Sequence, residues 1–455
     1  MLLVNSTMYR SFLLAFVMLS VASAKAQENS PFSRYGVGDL YPQQTIASRA
    51  MGGVTAAFTS PQAINTVNPA SYGFIPQVTF DVGISIDQRT LKSKSPLLNY
   101  SSANFLPSYV MIGVPLNRLK GWGAAFGIKP VARINYSVEE LVQNGNADTL
   151  QKLHQGNGGL TQAFIGIGKR WGKHITGTNF SIGLNAGYEF GRRQTDNIIN
   201  YIDSTPFTKS NYSATTTYSG VFINPGAMLS IGFGKKQDKI TKVYESYQLR
   251  IGASANIQHN LNASQNSIVE SFDYDANGAI VPLDTIKIQN GITGKLVIPL
   301  NYTVGFMLSN LLTDYGVSKW SIGADYTGGK WSDYRFYGQP DQVVNNWMLH
   351  AGGEFTPNLT SANGFSRAIY RLGFYTGKNY INADGNGYDE KAVTFGVGFN
   401  LRKYRGQYDN QQTLINTAIE IGKRGSTVNN VTENYFKLSV GFSLSDLWFV
   451  KRKYD

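Results

Sequence analysis

The chain has 455 residues, a formal net charge of +12, no cysteine, and a charged fraction of only 15%. An average soluble domain is about 25% charged, and without cysteine we expect neither a disulfide framework nor a lipid anchor. The basic pairs, among them Lys169-Arg170 and Lys423-Arg424, lie mostly at segment ends, with no basic helix or stacking motif beside them. We therefore expect contacts with solvent or anionic lipid headgroups and no binding of nucleic acid.

The N-terminus predicts export from the cytoplasm. Arg10 precedes the apolar run 11–22, and Ala24-Lys25-Ala26 follows as a small-x-small cleavage pattern, which is the order of a secretory signal peptide. The run is shorter than the about 20 apolar residues of a spanning helix, and no later segment offers one. We expect residues 1–26 to be a signal peptide, so that any membrane crossing uses strands.

Residues 27–76 differ from the rest of the chain because they show no sustained alternation. They combine Gly52-Gly53 and, in the second half of the segment, three prolines with apolar residues such as Phe58 and Ile64. So many apolar groups need a buried partner to be stable in water. The sequence predicts that this segment is a hatch, folded as a plug inside the structure that the following residues form.

From residue 77 onward, segment after segment alternates between apolar and small or polar residues. Near the end, Phe436 and Leu438 fall on one side and Lys437 and Ser439 on the other, as expected for lipid-facing and lumen-facing positions of a membrane barrel. The fifteen segments of this kind are 77–88, 105–115, 121–136, 160–171, 178–192, 218–234, 246–262, 280–290, 293–309, 317–328, 345–356, 367–378, 390–403, 411–423 and 433–446.

Bacterial barrels have an even number of strands, so we interpret the weakest segment, 280–290, as a hairpin outside the membrane. The sequence thus predicts an all-β fold, a transmembrane antiparallel β-barrel of about 14 strands formed by residues 77–455, with residues 27–76 as its N-terminal hatch. We expect a multi-pass barrel in the outer membrane of a Gram-negative cell, in contact with outer-membrane lipids. Five polar stretches are predicted to be loops outside the cell: 137–158, 194–215, 264–287, 330–345 and 379–389.

Residues suited to catalysis or metal binding are scarce. The four histidines are scattered without metal-ligand spacing, and no Gly-x-Ser-x-Gly elbow is present. We expect no enzyme activity and no cofactor.

One loop places Asp273, Asp275 and Asn277 at positions 1, 3 and 5 of a calcium loop, with Asp284 at position 12. Position 12 is usually glutamate, and Asp-x-Asn-Gly is also a hairpin turn, so a calcium loop and an ordinary turn both stay open.

Several stretches resemble a known family. Residues 48–53, with Arg49, Gly52 and Gly53, and then Asn68-Pro69-Ala70 resemble the N-terminal hatch of the FadL/TodX family of outer-membrane transporters, which shows an Arg-x-x-Gly run and an Asn-Pro-Ala triplet in this order. Residues 346–358 and 370–375 resemble the late hairpin of that family. The two ends, 29–36 and 448–454, resemble a Bacteroidota branch of it.

The resemblance implies a monomeric barrel for passive uptake of a hydrophobic small molecule, such as a long-chain fatty acid, which leaves sideways through a gap in the wall. It assigns hatch and gating roles to Arg49, Gly52, Gly53, Asn68, Pro69 and Ala70. An Asn-Pro pair also favours turn initiation, so the triplet is either purely structural or couples ligand binding to opening. The substrate-binding residues stay unknown.

A second class of function also stays open. Family resemblance indicates fold more reliably than function, and the alternative is a non-transporting barrel subunit of an outer-membrane secretion or assembly complex, with outer-membrane protein partners. A transporter predicts a lumen lined partly by apolar side chains. A subunit predicts a patch of small outward residues, for which Ala324 and Ala418 are candidates.

Overall fold

The structure is a computed structural model. The predicted signal peptide, residues 1–26, lies outside the residues that it describes. None of the helices among the described residues is long and apolar enough to span a membrane. The described stretches are 30–144, 148–172, 176–202, 208–237, 244–276, 280–312, 317–358, 361–383, 385–401 and 411–446.

The described residues form short helices near the N-terminus and strands after them. The helices are α1 (Ile46–Arg49) and the 3-10 turns Pro31–Arg34, Pro69–Phe74 and Trp331–Asp333. The strands are β1 (Asp39–Leu40), β2 (Val78–Lys94), β3 (Leu97–Asn117), β4 (Trp122–Asn144), β5 (Asp148–Trp171), β6 (Asn179–Tyr201), β7 (Lys209–Gln237), β8 (Tyr244–Asn256), β9 (His259–Tyr274), β10 (Ile280–Ile298), β11 (Asn301–Leu312), β12 (Val317–Gly329), β13 (Arg335–Phe336), β14 (Asn346–Phe355), β15 (Ile369–Lys378), β16 (Asp389–Asn400), β17 (Gln411–Arg424) and β18 (Val431–Asp446).

Fourteen of these strands close into an antiparallel barrel. Neighbours pair in chain order from β2 to β8, then through β11, β12 and β14 to β18, and β18 pairs back with β2. The sequence-based prediction of about 14 strands is confirmed. The hairpin β9–β10 lies outside this ring and pairs with residues 209–219, the first part of β7.

Alternate side chains of the ring strands separate by polarity. Along β2, Thr79, Asp81 and Asp87 are buried, whereas Ile86 is 45% exposed. Along β18, the exposed Phe436 alternates with buried polar residues. An apolar exterior around a polar interior reverses the pattern of soluble proteins and is typical of transmembrane barrels. Ala324 lies on the outward side, but the outward position expected for Ala418 is wrong: it is fully buried, because the inward residues of β17 are the even-numbered ones.

Three predicted loops are wrong. Residues 137–158, 194–215 and 264–287 mostly continue the strands β4–β5, β6–β7 and β9–β10. Backbone hydrogen bonds hold these extended hairpins together. Their sequences lack the alternation of apolar residues, because only strand positions that face lipid require it. The stretches predicted as loops at 330–345 and 379–389 are largely irregular, as expected.

Two predicted strands are divided. Within 246–262, β8 ends at Asn256 and β9 begins at His259; within 293–309, β10 ends at Ile298 and β11 begins at Asn301. The chain passes here from the ring to the hairpin β9–β10 and back. Pro299 lies in the second break, where its missing N–H group cannot contribute to a ladder.

Residues 30–76, called here the N-terminal segment, pack against inward-facing residues of the ring. Their hydrogen-bond partners lie on many of its strands, including Glu420 on β17, Asp325 on β12 and Asn185 on β6. Most residues of the segment are buried. Its polar contacts therefore satisfy interior groups that would otherwise face a cavity.

Candidate functional site

The barrel wall is interrupted between β3 and β4. Their ladder joins Val110 to Ile128 and ends at the turn with Asn117 and Trp122. On the far side of this ladder from the turn, the first part of β3 pairs with β2, and β4 continues alongside β5. This wall interruption begins next to two prolines, Pro107 on β3 and Pro130 on β4. Because proline has no N–H group, both remove donors where the ladder stops.

Residues 39–43, called here the strap, lie along β4 where β3 is missing. Asp39 and Leu40 pair with Arg133 and Ala132. The next backbone N–H, at Tyr41, donates to the carbonyl of Val131 over 2.8 Å. These contacts give β4 a substitute for part of the ladder that β3 does not supply.

Tyr41 also reaches the other side of the wall interruption. Its hydroxyl lies 3.2 Å from Oγ of Ser108 on β3, so one residue joins both sides. From β4, the carbonyl of Pro130 accepts a hydrogen bond from Nε2 of Gln43 over 3.0 Å. The strap therefore bridges the wall interruption through hydrogen bonds.

Asp39 is held between two guanidinium groups, an arrangement called here the latch. Its Oδ2 lies 2.8 Å from Nη1 of Arg89 on β2, and its Oδ1 lies 2.7 Å from Nη1 of Arg424 on β17. Burial alone would raise the pKa of Asp39, but Arg424 and Arg89 hold it well below its usual value. Asp39 is therefore charged at neutral pH and ties the strap to β2 and β17, on the other side of the wall interruption.

The lumen contains a cavity of about 350 Å³ beside the strap. A groove of about 1300 Å³ lies at the wall interruption, lined by Phe105 and Pro107 on β3 and by Pro130 on β4. The two spaces share four lining residues: Tyr41, Leu106, Arg133 and Leu160. The strap thus lies where the lumen cavity and the wall groove come together.

The lining of the lumen cavity combines apolar and charged residues. Leu40, Leu106 and Leu160 lie near the wall interruption, and so do the charged residues Lys129 and Arg133 of β4. Further charged lining residues lie on β2, β6, β16, β17 and β18: Asp87, Arg89, Glu189, Glu390, Glu420, Arg424 and Lys437. Such a cavity offers both apolar surface and fixed charge to a molecule inside it.

Arg49, singled out by the sequence, anchors α1 to the barrel. Its Nε donates to Oε1 of Glu420 over 2.7 Å, Nη2 lies 2.6 Å from the same oxygen, and Nη1 donates to Ser85 over 3.0 Å. Arg49 and Glu420 are each 3% exposed. A buried pair of this kind is expensive to break from one side, because the other charge is left unpaired.

Gly52 and Gly53 form the turn after α1, and both have positive φ, +70° and +88°. A Cβ atom at Gly52 would lie 2.6 Å from the carbonyl oxygens of both Ala351 and Phe374. The backbone N–H of Gly52 donates to Oγ1 of Thr394 over 2.8 Å. Glycine is required here by both the conformation and the close approach to the wall.

Asn68 caps the turn Pro69–Phe74, because its side chain accepts a hydrogen bond from the N–H of Ala70 over 3.1 Å. Its Nδ2 donates to the carbonyls of Ala56 and of Ala227, the latter on β7. Pro69 occupies the first turn, and Pro69 and Ala70 are buried. The triplet therefore has a structural role and also contacts the barrel wall; whether it also gates stays a prediction.

The described acids of the candidate calcium loop make other contacts or lie within strands. Asp273 forms an exposed ion pair with Lys209, at 2.5 Å, and Asp284 lies within β10 opposite Ser271. Asp275 follows the end of β9, and Asn277 lies outside the described residues. Among the described residues, no group of three acids or histidines is placed to hold a metal ion.

Sequence reasoning missed the strap, the latch and the wall interruption. Asp39 lies 50 residues from Arg89 and 385 residues from Arg424, so no local spacing indicates their contact. Pro107 and Pro130 were a usable signal, since a proline inside a predicted interior strand argues against an unbroken ladder.

The fold is similar to solved structures of FadL-type barrels. A FadL homologue from Pseudomonas aeruginosa matches with a TM-score of 0.52 at 12% identity, covering 90% of this chain and 99% of that chain. The toluene transporter TodX of P. putida gives 0.51 at 14% identity, with 91% and 99% covered. The toluene transporter TbuX of Ralstonia pickettii gives 0.51 at 15%, with 88% and 98% covered. At these identities the likeness shows the fold.

Residues 8–455 match the model of a protein family described as BamG. The resemblance to FadL and TodX noted in the sequence therefore holds for the fold, while the matching family model has a different name. A search of curated protein sequences found no match to the chain.

Proposed function

This chain belongs to the BamG family, and from its FadL-type fold we propose that it is an outer-membrane barrel for passive uptake of a hydrophobic small molecule, such as a long-chain fatty acid. One observation carries the proposal. The β3–β4 ladder stops where the lumen cavity and the wall groove share Tyr41, Leu106 and Leu160. A molecule in the lumen is thus next to a lateral route through the barrel wall, which avoids the polar headgroup layer of the membrane.

In this proposal the N-terminal segment is the hatch. It contacts strands around the ring and is mostly buried, so a solute cannot cross the lumen without displacing part of it. Arg49, Gly52 and Gly53 fix α1 against β14–β17, and the Asn68-Pro69-Ala70 turn fixes the other end against β7. Gating by these residues means that ligand binding loosens one anchor while the others hold the segment in the barrel.

Uptake of tritiated oleate by cells that lack their own fatty-acid transporter tests the proposal. Cells that make this barrel should accumulate oleate faster than cells with an empty vector. Leu106 is 8% exposed and lines both the lumen cavity and the groove, so Leu106→Trp should fill the route and return uptake to the background. The matched control is Leu438→Trp, on the outward side of β18.

Both variants are first checked for the folded barrel by its migration in unheated gels. Uptake at the vector level for the folded wild-type barrel would contradict the proposal. Equal uptake by the wild type and Leu106→Trp would show that solutes do not use this route.

A second candidate function is favoured by the exposed apolar hairpin β9–β10. Leu283, Ile286 and Ile288 are 61%, 65% and 58% exposed. The outward positions of β7 from Val221 to Phe233 cover about 40 Å along the strand. Because the strands of a barrel are tilted, this length spans about 30 Å along the membrane normal, which is the thickness of the hydrocarbon core. The hairpin lies beyond this span, where water would contact its apolar side chains.

That exposure favours a non-transporting subunit whose hairpin is covered by another outer-membrane protein. Gentle extraction from the native membrane should then yield a stoichiometric complex that Ile286→Lys with Ile288→Lys disrupts. A monomer from both the wild type and this variant would remove the second candidate and leave uptake unaffected.

A further inference from the structure

We propose that the periplasmic end of the lumen binds a small oxyanion, a phosphate group, on the guanidinium of Arg250. Residues 238–243 connect β7 to β8 and residues 313–316 connect β11 to β12, and the short connections of membrane barrels lie on the periplasmic side. Arg250 lines neither the lumen cavity nor the wall groove. Anion binding here is therefore separate from the proposed uptake and can be tested without it.

Arg250, on β8, is a buried cation that has no partner among the described residues. Its side chain points inward, and the residue is 3% exposed. No described acid forms an ion pair with it, and its Nε and Nη1 have no hydrogen-bond acceptor there. An unpaired charge in a protein interior is energetically costly, so buried arginines are normally paired with an anionic group. A bound anion gives Arg250 that partner.

The acid that acts on Arg250 electrostatically is already paired with another base. This acid is Glu354 on β14, and its Oε2 lies 3.1 Å from Nε of Arg371 on β15. Its other oxygen, Oε1, accepts a hydrogen bond from Ser321 over 3.1 Å. Two arginines and one glutamate leave one positive charge in excess, which attracts an anion to this part of the wall.

Two buried serine hydroxyls lie beside Arg250. Ser230 on β7 is its partner in one ladder, and Met307 on β11 is its partner in the other, two residues from Ser309. Both serines are 0% exposed, and within the described part of the chain neither Oγ atom has a hydrogen-bond partner. Facing residues of a ladder lie about 5 Å apart and diagonal ones about 7 to 8 Å. Both hydroxyls can therefore donate to an anion that the long side chain of Arg250 holds.

This set of donors favours phosphate over carboxylate. The guanidinium and the two hydroxyls come from three neighbouring strands, β7, β8 and β11. A phosphate group has tetrahedrally arranged oxygens that can accept from several directions, whereas a carboxylate has two oxygens in one plane. Because Ser230, Arg250 and Ser309 are at most 3% exposed, the group that reaches them is small.

The N-terminal segment closes the other side of the site. A Cβ atom at Gly252, two residues along β8 from Arg250, would meet the carbonyl oxygen of Ala56. The segment is thus packed directly on β8 at this level of the lumen. An anion therefore approaches Arg250 from the periplasmic end.

The melting temperature of the purified barrel in detergent tests the site, with inorganic phosphate as the probe. At equal ionic strength, about 10 mM phosphate should raise it by about 2 °C relative to chloride, because a ligand that binds only the folded state stabilises that state. Arg250→Met removes the charge at similar length and should abolish this shift. In chloride it should melt no lower than the wild type, because it removes an unpaired buried charge.

The matched control is Arg170→Met at the same end of the lumen. Arg170 is 7% exposed, but its guanidinium donates to Oδ1 of Asn179 over 2.9 Å and to the carbonyls of Gly73 and Gly172. This variant should keep the full phosphate shift, whatever its own melting temperature.

A second variant tests the site without changing any charge. Ser309→Ala removes a hydroxyl that has no hydrogen-bond partner among the described residues, so it should melt like the wild type in chloride. Its phosphate shift should be smaller than that of the wild type. An undiminished shift would remove Ser309 from the site.

The outcomes decide the site and the source of the anion. Equal melting temperatures in phosphate and chloride, a full shift in Arg250→Met, or loss of the shift in Arg170→Met would each overturn the site. A much lower melting temperature of Arg250→Met in chloride would also overturn it, because Arg250 would then already be paired. With glycerol 3-phosphate as a second probe, a shift supports a phosphate ester as the ligand, and a shift with inorganic phosphate alone supports the free anion.

Discussion

The hydroxyl of Tyr41 lies 3.2 Å from Oγ of Ser108, across the interruption between β3 and β4. The same residue is bonded to β4 through its backbone, which donates to the carbonyl of Val131. A single residue of the N-terminal segment thus replaces part of a wall that in a regular barrel consists of continuous ladder hydrogen bonds.

Removing that hydroxyl should loosen the wall interruption without unfolding the barrel. A hydrogen bond of this kind contributes about 1 kcal/mol, so Tyr41→Phe should lower the free energy of unfolding by about that amount in urea unfolding of the barrel in lipid vesicles. Tyr188→Phe, on the outward side of β6 and 49% exposed, is the control and should have no effect. A free energy of unfolding equal to that of the wild type would mean that the Tyr41–Ser108 contact does not hold the strap in place.

Arg49 and Glu420 should contribute strongly to stability. Arg49→Met leaves a buried carboxylate without its ion pair, and we expect a loss of about 3 to 5 kcal/mol in the free energy of unfolding. Urea unfolding in lipid vesicles measures it. The control is Lys209→Met, which removes the exposed ion pair with Asp273 and should leave stability unchanged. Similar stability of the two variants would contradict a structural role for Arg49.

Gly52 and Gly338 separate the effect of close approach from that of backbone conformation. Both have positive φ, +70° and +79°, but a Cβ atom meets backbone oxygens at Gly52 and nothing within 4 Å at Gly338. Gly338→Ala should cost only the conformational strain, about 1 kcal/mol. Gly52→Ala should cost clearly more and should move α1 from the wall. Equal costs in urea unfolding would show that the segment is not seated against Ala351 and Phe374.

The contribution of Asp39 should be constant near neutral pH. Its pKa is lowered by the two arginines against the effect of burial, so its stabilisation is complete above the unfolded pKa of about 3.9 and is lost as pH falls through the lower folded value. The difference in melting temperature between the wild type and Asp39→Asn should therefore be the same at pH 8 and pH 5 and should shrink below about pH 4. The groups around Asp39, present in both proteins, are Ser30, Asp87, Arg89, Arg424 and Glu433. A difference that already falls between pH 8 and pH 5 would contradict the lowered pKa.

The barrel itself could be predicted from the sequence because its signal is local. Alternation of Phe436 and Leu438 with Lys437 and Ser439 repeats every two residues, and the structure confirms the two faces. The extent of the strands could not be predicted in this way. Beyond the lipid, β4 and β5 stay paired through backbone groups, which leave no apolar pattern to detect.

The candidate site could be predicted only where backbone conformation restricts the residue type. Gly52 and Asn68 were visible because a left-handed turn and a helix cap select glycine and asparagine. Asp39, Arg89 and Arg424 were not, since each is an ordinary charged residue until the fold brings it to the others.

The central claim is that a hydrophobic molecule occupies the lumen beside the wall interruption and leaves through it. Native mass spectrometry of the barrel, extracted gently from its own outer membrane and analysed together with its bound lipids, tests this most directly. We predict a monomer with a co-purified hydrophobic molecule, which Leu106→Trp lacks. An empty barrel in a stoichiometric complex with partner proteins would contradict uptake and support the subunit function instead.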